Sequence, residues 1–154
     1  MRNKMIDIEA RNEFAELLHQ FIAGRIENFD FEDRVPSSND PAINEIWWQA
    51  GWPLYDDFKT HKLSGEWRIP NQYRRELAKA VLFLKTNKEY LWPPKTGIYP
   101  TFVSLINFIT FGLYKKYNKS ENTKNLEKEA WPFATLAELS EANEKPVYLN
   151  AKNA

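Results

Sequence analysis

Residues 7–24, DIEARNEFAELLHQFIAG, decide the class of fold. Phe14, Leu17, Leu18, Phe21 and Ile22 fall at the i, i+3, i+4, i+7 and i+8 positions of one helical face, with Asp7 to cap the start and Gly24 to end it. The same period recurs downstream. Asp40-Pro41 reads as an N-cap followed by a first-turn proline, and Ile43, Ile46, Trp47, Ala50 and Leu54 continue a buried stripe. Pro53 lacks an amide hydrogen and crowds the turn before it, so this second helix is expected to kink or break around Gly51-Trp52-Pro53. It is then expected to resume through Tyr55 to His61 and close at Ser64-Gly65. The acidic segment from Glu27 to Pro36, between these two helices, reads as a turn region. Pro70 opens a third helix with Tyr73, Leu77, Ala80, Val81 and Leu84 on one face. Residues 101–117 predict a fourth that is apolar on most sides and therefore central, and Thr135 with Glu138 makes a capping box ahead of Leu136 and Leu139.

No segment alternates with a period of two, so no substantial sheet is expected. The expected fold is all-α: a single-domain bundle of about five helices over residues 1–149, with aromatic-proline loops, a central helix at about 101–117 and a flexible tail at 150–154. A chain of 154 residues is long enough for one well-buried core. Trp-Pro occurs three times, at Trp52-Pro53, Trp92-Pro93 and Trp131-Pro132, but the flanking residues differ, which argues against a solenoid repeat. Each tryptophan is expected instead to anchor a helix-end loop on the core.

The absence of cysteine excludes a disulfide framework, thiolate zinc, iron–sulfur ligation and a cysteine nucleophile. The amino terminus shows no secretory signal, and the most apolar stretch, Ile98 to Leu113, is interrupted by polar residues, so no spanning segment is read and a cytoplasmic location is expected. Glu16 and His19 have the Glu-x-x-His spacing of helical di-iron sites, but only one other histidine, His61, exists, and it follows Asp57 at i+4. No serine lies in a strand–elbow–helix context, and none of the five glycines forms a phosphate cradle. No catalytic, metal-ligating or cofactor-binding residue is therefore assigned. A small enzyme or ligand-binding domain would need an inter-helix pocket lined by Glu16, His19, Asp57 or His61.

Charge is more informative in its distribution than in its sum. Lys plus Arg and Asp plus Glu are equal at 21 each, which argues against a globally basic nucleic-acid binder. Residues 1–60 nevertheless hold 12 acidic and 6 basic side chains, whereas residues 61–130 hold 6 acidic and 13 basic. Glu27, Asp30, Glu32, Asp33, Asp56 and Asp57 form an acidic pole interleaved with Phe29, Phe31 and Tyr55. Aromatic area beside like charges suits a steered protein interface, so Glu27, Asp30, Phe31, Glu32, Asp33, Asp56 and Asp57 are the candidate partner-binding residues. The basic region from Arg74 to Lys119 is the alternative, as a nucleic-acid or membrane-surface contact.

The segments Trp52-Pro53-Leu54-Tyr55-Asp56-Asp57 through His61-Lys62-Leu63, Leu82-Phe83-Leu84 through Tyr90-Leu91-Trp92-Pro93, Leu105-Ile106-Asn107-Phe108 to Gly112, and Trp131-Pro132-Phe133 together resemble a family of small, uncharacterised bacterial helical proteins. That resemblance covers most of the chain and implies no activity, cofactor or catalytic residue. In size, helical character and its acidic-aromatic mixture the chain is also similar in style to bacterial toxin-immunity proteins, which block a toxin by binding it. The expectation is a non-enzymatic module that binds another protein, a toxin domain in its sharpest form.

Overall fold

The computed structural model describes residues 6–92 and 126–150, and among these every regular element is helical. Five α-helices are present: α1 (Ile8–Ile22), α2 (Asn28–Asp33), α3 (Pro41–Ile46), α4 (Asn71–Leu84) and α5 (Leu136–Glu144). The expected central helix at 101–117 lies outside the described residues, as does all of the expected tail beyond Asn150.

Capping chemistry sets the ends of α1. The Asp7 side chain accepts from the Ala10 amide at 3.1 Å, satisfying one of the orphan donors of the first turn. At the other end the Arg25 amide donates to Gln20 O and the Gly24 amide to Phe21 O, with Gly24 at φ 68°, the left-handed stop that glycine adopts without strain. The face between these caps is buried: Ala10, Phe14, Leu17, Leu18 and Phe21 belong to one continuous apolar cluster with Ile43, Ile46, Leu77, Phe83, Leu84 and Phe133. Burial of each large side chain in such a cluster is worth about 1.5–3 kcal/mol over leaving it in water.

A buried ion pair joins three elements at one end of α1. Arg11 approaches Asp40 with Nε at 2.6 Å from Oδ2 and Nη2 at 3.1 Å from Oδ1. Its Nη1 donates to Thr86 O and Lys88 O just beyond α4, and the guanidinium lies 5.3 Å from the Phe83 ring centre. Asp40 also accepts from the Asp7 and Ala42 amides, so the α3 N-cap is at the same time the partner of a buried arginine. Lys85, the C-cap of α4, is likewise buried against α1, where its ammonium donates to Asn12 and to Leu149 O.

Thr135 caps α5 as its spacing predicts, accepting from the Glu138 amide at 3.2 Å, while Glu138 reaches back to the Ala134 amide. The three tryptophans of the Trp-Pro pairs have different environments, consistent with unrelated loops. Trp92 and Trp131 are half-buried and donate their indole N–H to Phe133 O and to the Tyr90 hydroxyl. Trp52 is 38 % exposed, and among the described residues its indole N–H makes no hydrogen bond.

Two local expectations are corrected. Glu27 to Pro36 contains the six-residue helix α2 where a turn was read, because Phe31 packs against Phe21 at a ring distance of 4.3 Å and draws the segment onto the core. Conversely, the second helix does not resume beyond Pro53. After α3 the backbone widens into a π-helical turn at Trp47–Gly51, tightens into a 3₁₀ turn at Trp52–Leu54, and becomes extended at Tyr55.

Candidate functional site

The π turn determines where the tryptophans point. Wider winding at Trp47–Gly51 lets Trp47 rest on Phe31, with ring centres 5.2 Å apart, while Trp48 is left 54 % exposed. Gly51 permits this closure, since a Cβ there would lie 2.6 Å from Trp47 Cε3 and 3.0 Å from Phe31 Cε1. Such π turns are frequent at functional positions. From Trp47 the rings continue outward without a break. Trp52 meets Trp47 at 6.4 Å and Trp48 at 5.2 Å, stacks on Tyr55 at 5.5 Å, and Tyr55 takes Phe29 edge-on at 5.6 Å.

The outer end of this aromatic path joins two acidic segments, α2 through Phe29 and the Asp56-Asp57 pair that follows Tyr55. Glu32 foremost, and then the charges of Asp57 and Asp33, disfavour a phenolate at Tyr55. The hydrogen bond to Glu32 is the leading cause that pushes the Tyr55 hydroxyl from its ordinary 10.0 up to about 12. Among the described residues no ion pair is formed by Glu27, Asp30, Glu32, Asp33, Asp56 or Asp57.

The loop that carries Asp56, Asp57 and Phe58 is held from below by Asn28, which is fully buried. Its amide group donates to Asp56 O at 2.9 Å and Lys59 O at 3.1 Å, and its oxygen accepts from the His61 amide at 2.8 Å. The His61 ring stacks on Trp67 at 4.1 Å, with Nδ1 3.1 Å from Lys59 O and Nε2 3.0 Å from Leu54 O. Asp56 accepts from the Phe58 and Lys59 amides, and the Phe58 bond is the leading cause of its lowered pKa. Phe58 itself is 93 % exposed.

The expected binding residues therefore separate into three groups. Glu32, Asp33 and Asp57 converge electrostatically on Tyr55, and Asp56 shapes the loop beside them. Glu27 and Asp30 stand at the opposite, N-terminal end of α2, Asp30 exposed and Glu27 half-buried. Phe31 is corrected: it has no exposed surface and stacks against Phe21 and Phe14, so it supports the face from within and offers nothing to a partner. Trp48 and Trp52, which belong to the aromatic path, and the exposed Phe58 of the loop that follows it were missed. Adjacent Trp47 and Trp48 cannot both turn to one core, and that pair was the available signal.

The alternative sites are less well assembled. Both His61 ring nitrogens face backbone carbonyl oxygens, at 3.1 and 3.0 Å, while Glu16 accepts from Gln20, and among the described residues no hydrogen bond or ion pair joins Glu16 or His19 to Asp57 or His61. Among the described residues no cluster of three or more His, Asp or Glu could hold a metal, and no helix is long and apolar enough to cross a membrane. Within the basic region, Lys79 pairs with Glu76 at 2.7 Å and Lys88 with Glu141 at 3.1 Å, and Lys85 is buried, so these three charges are engaged inside the fold. Lys95, Lys115, Lys116 and Lys119 lie outside the described residues.

Comparison with protein families, with curated proteins and with solved structures finds no match to this chain.

Proposed function

We propose that this chain is a non-enzymatic protein-binding module of the immunity or antitoxin type, and that its contact surface is the face formed by Trp48, Trp52, Tyr55 and Phe58 with Glu32, Asp33 and Asp57. One observation carries the reading: Trp48, Trp52 and Phe58 stand exposed, Trp52 stacks on the Tyr55 that α2 reaches through Phe29, and among the described residues Glu32, Asp33 and Asp57 form no ion pair. Clustered tryptophans provide burial that anchors a partner, and unpaired like charges accelerate and select the encounter. A patch of this kind is seldom left on a protein that works alone.

The test is affinity capture from the source organism at low and high salt, run beside the double variant Glu32→Lys/Asp33→Lys and the control Arg75→Glu on α4. A stoichiometric protein retained by the native chain and the control, weakened by salt and lost with the double variant, supports the face. Growth of cells expressing that partner, restored only by co-expression of the native chain, supports the immunity role. Recovery unaffected by the double variant contradicts the face, and a partner harmless to the cell contradicts the immunity role alone.

A further inference from the structure

The arrangement of rings and carboxylates on the proposed contact face narrows what a partner would insert there. We infer that the face recognises an arginine side chain of the partner, its guanidinium laid on the exposed indoles of Trp48 and Trp52 and its N–H groups directed at the carboxylates around Tyr55. This inference rests on the proposed protein-binding role and deepens it.

The chemistry required is present on contiguous residues. Trp52 is tilted 55° to Trp48 and stacked within 23° of Tyr55, so its neighbours form a corner and not a flat sheet. A planar cation can rest against one wall of such a corner while keeping its edge free, whereas a flat aliphatic surface would leave the carboxylates facing apolar groups. Phe29 meets Tyr55 edge-on at 5.6 Å, and Phe29 and Glu32 share the six-residue helix α2, which brings the acidic helix to the end of the aromatic path. Asp33 and Asp57 add charge from two different elements, the end of α2 and the loop after the 3₁₀ turn. An arginine matches this set better than a lysine. Its delocalised charge is more weakly hydrated, stacks on indole and presents a fork of donors to a carboxylate, while an ammonium is a compact charge that prefers to stay in water.

Two other features carry less. The His61 ring, its two nitrogens 3.1 and 3.0 Å from backbone carbonyl oxygens, holds the loop, and the buried Arg11–Asp40 pair already joins three elements of the fold. Neither offers a free group to a ligand.

The probes are three synthetic peptides of one glycine-serine framework carrying two arginines, two lysines or two citrullines, titrated into the full chain. Binding is read from tryptophan fluorescence and from the indole N–H signals in a proton–nitrogen correlation spectrum. The arginine peptide is expected to bind about two- to fivefold more tightly than the lysine peptide, the range that an exposed cation–π contact supplies, and the citrulline peptide is expected not to bind. Trp48→Ala removes an exposed ring that the core does not use, and it should reduce arginine binding to the lysine level; Trp52→Ala should do the same.

Equal binding of arginine and lysine overturns the inference, as does an arginine preference that survives both tryptophan variants or an absence of binding by either cation. Those failures are distinguishable from failure of the underlying role. If the captured partner is still lost with Glu32→Lys/Asp33→Lys, the face stands and only its arginine specificity falls; if capture is unaffected, the face itself is wrong.

Discussion

At the scale of single residues, two groups have environments that experiments can read directly. Arg11 and Asp40 are both about 1 % exposed, and removing either leaves the other as an uncompensated buried charge. Arg11→Met should therefore destabilise the fold by about 3–5 kcal/mol in urea unfolding, and a loss under about 1 kcal/mol would contradict the assigned role. Tyr55 gives the second reading. A phenol held protonated by the fold contributes stability that is fully present below its ordinary 10.0 and disappears as the pH rises through about 12. In a difference titration between the native chain and Tyr55→Phe, the missing phenol should ionise near 12, and Glu32→Gln should bring that step down toward 10.0. A Tyr55 step already at the ordinary value in the native chain would remove Glu32 from its place beside the hydroxyl. Asp40 shows how much a residue-level reading can see: its N-cap role was legible from Asp40-Pro41, but its partner Arg11 lies 29 positions away and has no local signature.

At the scale of elements, local chemistry and long-range packing decided different parts of the chain. Asp7, Gly24, Asp40-Pro41 and Thr135 with Glu138 act within one turn of themselves, and α1, α3 and α5 begin or end where those residues indicate. The segment from Tyr55 to His61 is different. It has no helix-breaking residue, yet it forms a loop because the buried Asn28 side chain binds its carbonyls and amide from another element. A periodicity argument cannot register that clamp. The π turn was signalled only as a break near Pro53, and its consequence, one tryptophan in and its neighbour out, depends on the space left by Gly51. Gly51→Ala should push a Cβ into the Trp47 ring and cost about 1–3 kcal/mol, despite the greater intrinsic helix preference of alanine. Thermal and urea unfolding check this, together with a changed tryptophan emission as Trp47 and Trp52 move. An unchanged stability would mean that the ring yields without loss.

At the scale of the whole molecule, the helical class and the acidic half were legible in the sequence because both depend on which residues occur in which order. The site was legible only in its charge. Glu32, Asp33 and Asp57 were singled out as acids, whereas the apolar part of the face, Trp48, Trp52 and Phe58, depends on which rings the core leaves uncovered, and Phe31 was misplaced for the same reason. The central claim is that this face is where the partner sits. The most direct measurement replaces Trp48 or Phe58, and for comparison Leu136 or Tyr148, with a photo-crosslinking amino acid in cells of the source organism. All four positions are exposed, Leu136 and Tyr148 belonging to α5 and the segment after it. The account predicts one and the same protein crosslinked at 48 and 58 and none at 136 or 148. Crosslinks at 136 or 148 with none at 48 and 58 would place the contact elsewhere and contradict it.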